Sequence, residues 1–253
     1  MNSKPSRYAD AGSHAIIWDF DGTLADTRLR NMHVTRSILK DITGRPTEEH
    51  AALESLESYK EALLRTANWR DLYSKEFGLP ESDIQRAGQL WGAYQLLDET
   101  PAPSFAGIVE VLERWRVLPQ GIVSQNGSEI ITNILEANNI KNYFGAIIGY
   151  EDVEFRLQKP SPEGLIHCIR ILTGLEPGLV FYIGDHGTDA LCAKLGQEIL
   201  AERNLDISII SIGAFYGIDP QPGLEDNFEH AAYQPAELTE IITKSLEDWP
   251  AGR

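Results

Sequence analysis

Cysteine is scarce in this chain: Cys168 and Cys192 are the only two in 253 residues, and neither belongs to a Cys-x-x-Cys pair. That excludes a disulfide framework; both read as buried thiols on helical patterns, in a reducing compartment, and a cytoplasmic location is expected. His167 adjoins Cys168, but neighbouring helical residues point in different directions, so the pair is not read as a metal site. Basic side chains are also few: 22 Lys and Arg stand against 38 Asp and Glu, a net charge of −16. Such a chain is repelled by nucleic acid and by anionic membrane surfaces, which argues against both as partners. No apolar run approaches membrane-spanning length. Residues 1–13 are polar, lack the apolar segment of a signal peptide, and read as a flexible tail. No internal repeat or low-complexity tract is present.

What remains is ordinary globular material: 42% hydrophobic and 9% aromatic residues, enough to fill one large domain or a core carrying an inserted smaller one. Short apolar runs at 14–18, 118–123, 146–149, 179–183 and 207–212 lack polar alternation, as strands buried on both faces of a parallel sheet do. Helical spacing separates them. Residues 105–116 carry Ile108, Val109, Leu112 and Trp115, and 128–138 carry Ile131, Ile134 and Leu135. Ser161-Pro162-Glu163 predicts a helix start with Ser161 at the cap, and Gly174 predicts its end. Alternating strands and helices define an α/β sheet with right-handed crossovers.

Residues 27–99 interrupt this alternation with helices alone. Leu29, Met32, Arg36 and Leu39 mark the first. Thr47 is expected to cap a second that carries Leu53, Leu56 and Leu63. Asn68 caps a third with Trp69, Leu72 and Tyr73, and a fourth starts at Glu81 with Ile84, Ala87, Trp91 and Tyr94. Four helices with short turns make a small bundle, and Thr100-Pro101-Ala102-Pro103 is a stiff linker after it. The expected organisation is an α/β core of 14–26 with 100–253, a helical insert of 27–99, and the tail.

The chemistry sits at strand ends. The run Ile16-Ile17-Trp18 leads into Asp19-Phe20-Asp21-Gly22-Thr23. Aspartates two apart on a strand point the same way, at the sheet edge where open α/β folds place their sites. One carboxylate suits a nucleophile, the other proton transfer, with a cation between them. A second strand ends at Ser124-Gln125-Asn126-Gly127, where a hydroxyl and turn N–H groups suit an anionic oxygen. Lys159 stands just ahead of a helix N-terminus, favourable for phosphate. A further strand runs into Gly184-Asp185-His186-Gly187-Thr188-Asp189, whose hard oxygen ligands, joined to the first pair, suit Mg²⁺.

In this order the four segments resemble the haloacid dehalogenase (HAD) superfamily of phosphohydrolases. The family pattern is Asp-x-Asp-x-Thr, a strand-terminal Ser or Thr, a Lys, then Gly-Asp-x-x-x-Asp; here it is met by Asp19, Asp21 and Thr23, Ser124, Lys159, and Asp185 and Asp189. The resemblance spans residues 14–246. A helical cap between the first two motifs resembles the subfamily I members that include phosphoglycolate phosphatases and β-phosphoglucomutases, and the pattern is most similar to the former. It implies a Rossmann-like parallel-sheet core with an inserted all-helical cap. It implies an Mg²⁺-dependent phosphatase acting on a small organic phosphomonoester through an aspartyl-phosphate. By that resemblance Asp19 is the nucleophile and Asp21 the general acid and base. Lys159, Thr23, Ser124, Gln125 and Asn126 hold phosphoryl oxygens. Asp19, Asp21 (through its carbonyl) and Asp185 hold Mg²⁺, and Asp189 orients Lys159 or a metal-bound water. The cap closes over the site on hinges at 24–27 and 100–104. Trp18, where a smaller apolar residue is commoner, and the Ser124-Gln125-Asn126 turn depart from the usual pattern.

A β-phosphoglucomutase-like transfer is the first alternative, with Gly44-Arg45 a candidate for a second phosphate. Dehalogenases of the superfamily lack the second aspartate, which Asp21 supplies here. Phosphonate-cleaving members also replace that aspartate and use a cap lysine as a Schiff base; the cap lysines here are Lys40, Lys60 and Lys75, and Asp21 again argues against that chemistry. A catalytically silent binding protein is the alternative from another class, although no catalytic group is missing. Arg28, Arg30, Arg36, Arg45, Arg65 and Arg70 are the cap cations from which a second acidic group of a substrate could be recognised. The sequence is silent on oligomeric state.

Overall fold

The computed structural model describes residues 13–66, 68–217 and 223–249, so the expected tail falls outside the described residues except for Ser13. The chain divides into two compact units, Asp26–Pro103 and the remainder.

The inserted unit consists of α1 (Arg28–Thr43), α2 (Leu56–Arg65), α3 (Trp69–Lys75) and α4 (Glu81–Leu97). Their apolar stripes converge on a core of Met32, Ile38, Leu39, Tyr59, Leu72, Tyr73 and Ile84. Asn68 caps α3 as expected, its Oδ1 accepting the Asp71 N–H at 3.0 Å. Thr47, in contrast, caps no long helix. Residues Thr47–Glu49 and Ala51–Leu53 form two 3₁₀ turns, broken by extended backbone at His50. The cap of α2 is Ser55, whose Oγ accepts the Ser58 N–H at 3.0 Å; of two hydroxyls able to start a helix, the one followed by uninterrupted helical backbone prevails. Most of the arginines in this unit are committed locally. Arg30 donates to the Gln95 side chain and the Thr100 carbonyl, and Arg36 to the Leu53 carbonyl. Arg28, Arg65 and Arg70 pair with Asp26, Glu76 and Glu81, while Arg45 is exposed beyond α1.

The second unit is built on one sheet. Its strands are β1 (Ala15–Trp18), β2 (Gln120–Val123), β3 (Ala146–Ile148), β4 (Gly178–Gly184), β5 (Ile207–Ala214) and β6 (His230–Ala232). They run in the order β3-β2-β1-β4-β5-β6, every pair parallel. The helices are α5 (Ile108–Arg114), α6 (Ser128–Ala137), α7 (Glu163–Thr173), α8 (Gly187–Glu202) and α9 (Pro235–Asp248). Ile17, Val180 and Tyr182 face α7 and α8 in a buried cluster with Leu165, Cys168, Ile169 and Cys192; both thiols are buried, as their helical settings imply. Trp18 points to the opposite face. It is fully buried, its indole N–H donates to Gln120 Oε1 at 3.0 Å, and Gln120 Nε2 donates in turn to the Leu112 carbonyl of α5. The large residue before the nucleophile position is thus a core residue whose one polar atom is satisfied.

Three details differ from expectation. The edge strand β6 was not expected: its His-Ala-Ala, paired with the end of β5, has neither the apolar run that marks the equally short β3 nor an alternation. The helix α5 is shorter than 105–116. Ser161 does not cap α7: the first intrahelical bond is accepted by the Pro162 carbonyl from Ile166 at 2.8 Å, so Pro162 occupies the cap position. Gly174 closes α7, its N–H donating to the Arg170 carbonyl.

Candidate active site

The sheet changes direction of growth at β1, which has β2 on one side and β4 on the other. A crevice therefore opens at the C-terminal ends of β1 and β4, the position at which open parallel sheets bind ligands. Asp19 follows β1 directly, and its N–H donates to the Ile183 carbonyl of β4 at 2.7 Å. Asp185 follows β4, and Asp189 lies in the first turn of α8, its Oδ2 accepting the His186 N–H at 3.1 Å. One carboxylate oxygen from each of Asp19, Asp185 and Asp189 lies within 4.8 Å of the others.

Lys159 is the counter-charge. Its Nζ donates to Asp19 Oδ1 at 2.5 Å and to Asp189 Oδ1 at 2.7 Å, with all three side chains almost wholly buried. Tyr182 adds a hydrogen bond to Asp189 Oδ1 at 3.1 Å. Burial favours the uncharged lysine, but Asp189 and Asp19 together outweigh it and hold the ammonium above its ordinary range. Burial pushes Asp19 up to about 7, with Lys159 opposing and Asp189 adding to the rise. Burial, then Asp19 and Asp189, drive Asp185 well above the carboxylate range. Like charges about 5 Å apart repel by roughly 3 kcal/mol at an effective dielectric near 20. A single ammonium among these carboxylates leaves a deficit of positive charge, and an all-oxygen donor set of this kind fits a hard divalent cation.

Two glycines allow the crowding. Gly22 has φ +80, and a Cβ there would meet Asp185 Oδ2 at 2.1 Å; a Cβ on Gly184 would meet Asp189 Cγ at 2.4 Å. Side chains at either position would displace a carboxylate of the cluster.

The Asp19-Phe20-Asp21 segment and the β2–α6 turn carry the other groups. Asp21 is separate from the three-carboxylate cluster and accepts from Asn126 Nδ2 through both oxygens, at 3.3 and 3.2 Å. Ser124 Oγ accepts the Asn126 N–H at 3.1 Å, which leaves its own proton to donate. Gln125, expected to meet substrate, donates to the Lys159 carbonyl at 2.9 Å and ties that loop to the turn after β2. Thr23 is fully buried; its Oγ1 has no hydrogen-bond partner among the described residues, and its carbonyl accepts from Tyr216 at 2.7 Å. The roles of Tyr182 and Tyr216 were not visible in the sequence, because an aromatic within an apolar strand or after one reads as core.

A parallel α/β core with clustered aspartates at its switch point and a buried lysine among them is an arrangement suited to phosphoryl-group chemistry. The family model for haloacid dehalogenase-like hydrolases matches residues 16–197, and the chain belongs to that family. It is 25% identical over 195 residues to the phosphoglycolate phosphatase of Shigella dysenteriae serotype 1, spanning 71% of this chain and 76% of that protein. A second relative, the phosphoglycolate phosphatase of Escherichia coli K12, is 32% identical over 77 residues, or 30% of this chain and 29% of that one. Among solved structures, a haloacid dehalogenase-like hydrolase of Streptococcus pneumoniae aligns with a TM-score of 0.67 at 19% identity, covering 91% of this chain and 99% of the other. A HAD-superfamily hydrolase of subfamily IA from Geobacter sulfurreducens aligns at 0.59 and 18%, covering 92% and 97%. At these identities the likeness shows the fold.

Proposed function

We propose that this chain is an Mg²⁺-dependent phosphatase of a small organic phosphomonoester, phosphoglycolate- or sugar-phosphate-like, working through an aspartyl-phosphate on Asp19. The observation that carries the reading is Lys159 bridging Asp19 and Asp189, with Asp185 in the same cluster and Asp21 beside it. Asp19, Asp185 and the Asp21 carbonyl would hold Mg²⁺, which when bound supplies positive charge opposite the phosphoryl oxygens.

The remaining chemistry belongs to the chain. Asp19 attacks phosphorus in line, forming an Asp19–O–P bond as the P–O bond to the alcohol breaks. Asp21 gives a proton to the departing alkoxide, then takes one from the water that cleaves the acyl phosphate, releasing inorganic phosphate and restoring both carboxyl groups. Lys159 neutralises charge between nucleophile and phosphate, and Asp189 with Tyr182 fixes its position. The Ser124 hydroxyl, with the turn that follows it, receives a phosphoryl oxygen. The buried Thr23 hydroxyl, without a partner among the described residues, is a further group for a phosphoryl oxygen, and Gln125 ties the Lys159 loop to the turn beside it.

The test is phosphate release from p-nitrophenyl phosphate and a panel of phosphoglycolate, sugar phosphates and nucleotides, with Mg²⁺ and with EDTA. Mg²⁺-dependent, stoichiometric release supports the proposal and ranks the substrate class. Sugar phosphate isomerisation without net release assigns the mutase reaction instead. A folded sample inert toward every ester refutes both.

A further inference from the structure

We infer that Asn126 is a positioning residue for Asp21, orienting the carboxyl group that protonates the leaving alcohol, rather than a ligand of the phosphoryl group. The inference rests on the phosphatase reading above and deepens it at one residue.

The geometry is over-determined. Asn126 is buried, with 3% of its surface exposed. Its Oδ1 accepts the Gly127 N–H at 2.9 Å. A backbone N–H is only a donor, so the amide has one possible orientation: Oδ1 toward Gly127 and Nδ2 toward Asp21. Nδ2 stands 3.3 Å from Asp21 Oδ1 and 3.2 Å from Oδ2. Near-equal distances place the donor midway between the two oxygens, so one amide holds both ends of the carboxylate.

The turn that presents Asn126 is itself fixed. The Asn126 N–H donates to Ser124 Oγ, and its carbonyl accepts the Tyr150 N–H at 3.1 Å. Gly149 packs so closely there that a Cβ would come within 2.6 Å of the Ser128 nitrogen and 3.0 Å of the Asn126 oxygen. Both backbone groups of Asn126 and both ends of its side-chain amide are thus engaged, and those two ends join the β2–α6 turn to the loop after β1. The contact that Nδ2 makes is to Asp21, whereas Ser124 and Lys159 have protons to offer a phosphoryl oxygen.

The two roles differ in how the enzyme responds to the leaving group. An alkoxide needs its proton as the P–O bond breaks; p-nitrophenolate is a weak base and leaves without one. General acid catalysis contributes about 10²–10⁴-fold, and misorienting the acid forfeits part of that. The experiment compares kcat/KM, which reports phosphoryl transfer to the enzyme, for p-nitrophenyl phosphate and for the alkyl phosphate the wild type cleaves fastest. In Asn126→Ala, kcat/KM for the alkyl ester is expected to fall about 10–100-fold, against less than about threefold for p-nitrophenyl phosphate. Asn126→Ser, which keeps an uncharged polar group at the turn but is too short to hold Asp21, is expected to show the same selective loss and guards against misfolding of the alanine variant. An equal fall for both esters in the folded variants overturns the inference in favour of a phosphoryl contact, and unchanged values for both overturn it outright. A wild-type protein that cleaves neither ester refutes the phosphatase reading itself, which is a separate result.

Discussion

Asp19 sits where burial and neighbouring carboxylates favour its neutral form, and Lys159 alone among the described side chains holds it at hydrogen-bond distance as an anion. Replacing the carboxylate by an isosteric amide removes the nucleophile and also relieves repulsion. Asp19→Asn is therefore expected to abolish phosphate release while leaving the circular dichroism spectrum intact and the thermal midpoint at or above the wild-type value. Appreciable turnover would move the nucleophile elsewhere. A second residue acts through pH. The Leu179 N–H donates to His14 Nδ1 at 2.9 Å, which requires that nitrogen unprotonated, and burial lowers the pKa of His14. The folded state then binds fewer protons than the unfolded one, so stability is full above the ordinary histidine pKa of about 6.5 and declines as pH falls below it. The wild-type midpoint is expected to drop more between pH 7.5 and 5.5 (chosen as about one unit either side of that value) than the midpoint of His14→Ala does, and parallel slopes would refute the assignment. Residue identity was the most legible level: the aspartates, serine and lysine flagged in the sequence do stand at the C-terminal end of the sheet. Tyr182 was hidden, since only its pairing with Asp189 distinguishes it from any other core aromatic.

At the scale of elements, apolar or periodic segments were readable, the three-residue β3 included, and a segment with neither signal was not. Both β1 and β4 declare themselves because strands buried on two faces are continuously apolar; β6 does not, because three residues of His-Ala-Ala carry no period. Caps depended on competition. Asn68 had no rival and was found, whereas Thr47 and Ser55 both offer hydroxyls and only the later one precedes helical backbone. The β5 edge shows a device that no local pattern reveals. Because β6 pairs only with Ile212, Gly213 and Ala214, the first half of β5 has no neighbouring strand on that side among the described residues. Gln197 of α8 takes its place: Oε1 accepts the Ile209 N–H at 2.7 Å and Nε2 donates to the Ile207 carbonyl at 3.2 Å. Gln197→Ala leaves two backbone groups without these partners and is expected to lower stability by about 1–2 kcal/mol in urea unfolding. It also exposes a strand edge able to pair with another chain, so light scattering should show more association than in wild type. A variant as stable and as monodisperse as the parent would show the edge needs no such cover.

For the whole molecule, the net charge of −16 attracts cations in any state, but only the folded chain assembles the three-carboxylate cluster, so a divalent cation should bind the folded chain in preference to the unfolded one. Binding of that kind raises stability as RT ln(1 + [L]/Kd), about 2.7 kcal/mol at a hundredfold excess over Kd. The thermal midpoint is expected to rise with Mg²⁺ and fall back with EDTA. In Asp185→Asn the rise should be greatly reduced, in parallel with loss of activity. A midpoint indifferent to Mg²⁺ in the wild type would remove the cation from the site. No described helix is long and apolar enough to cross a membrane.

The sequence by itself determined the α/β class, the strands of the sheet interior, the all-helical stretch and the groups able to do chemistry. Each of these is written in a local property: apolar continuity, a 3.6-residue period, or acid and base side chains at strand ends. Only the tertiary structure decided which of those groups meet. The order β3-β2-β1-β4 brings Asp19 to Asp185 and Lys159 across more than a hundred residues of chain, turns Asn126 toward Asp21 rather than solvent, and makes Trp18 a satisfied core residue. Sequence separation carries no distance, and a side chain's partner is fixed by strand order, burial and hydrogen-bond closure, which exist only once the sheet has formed.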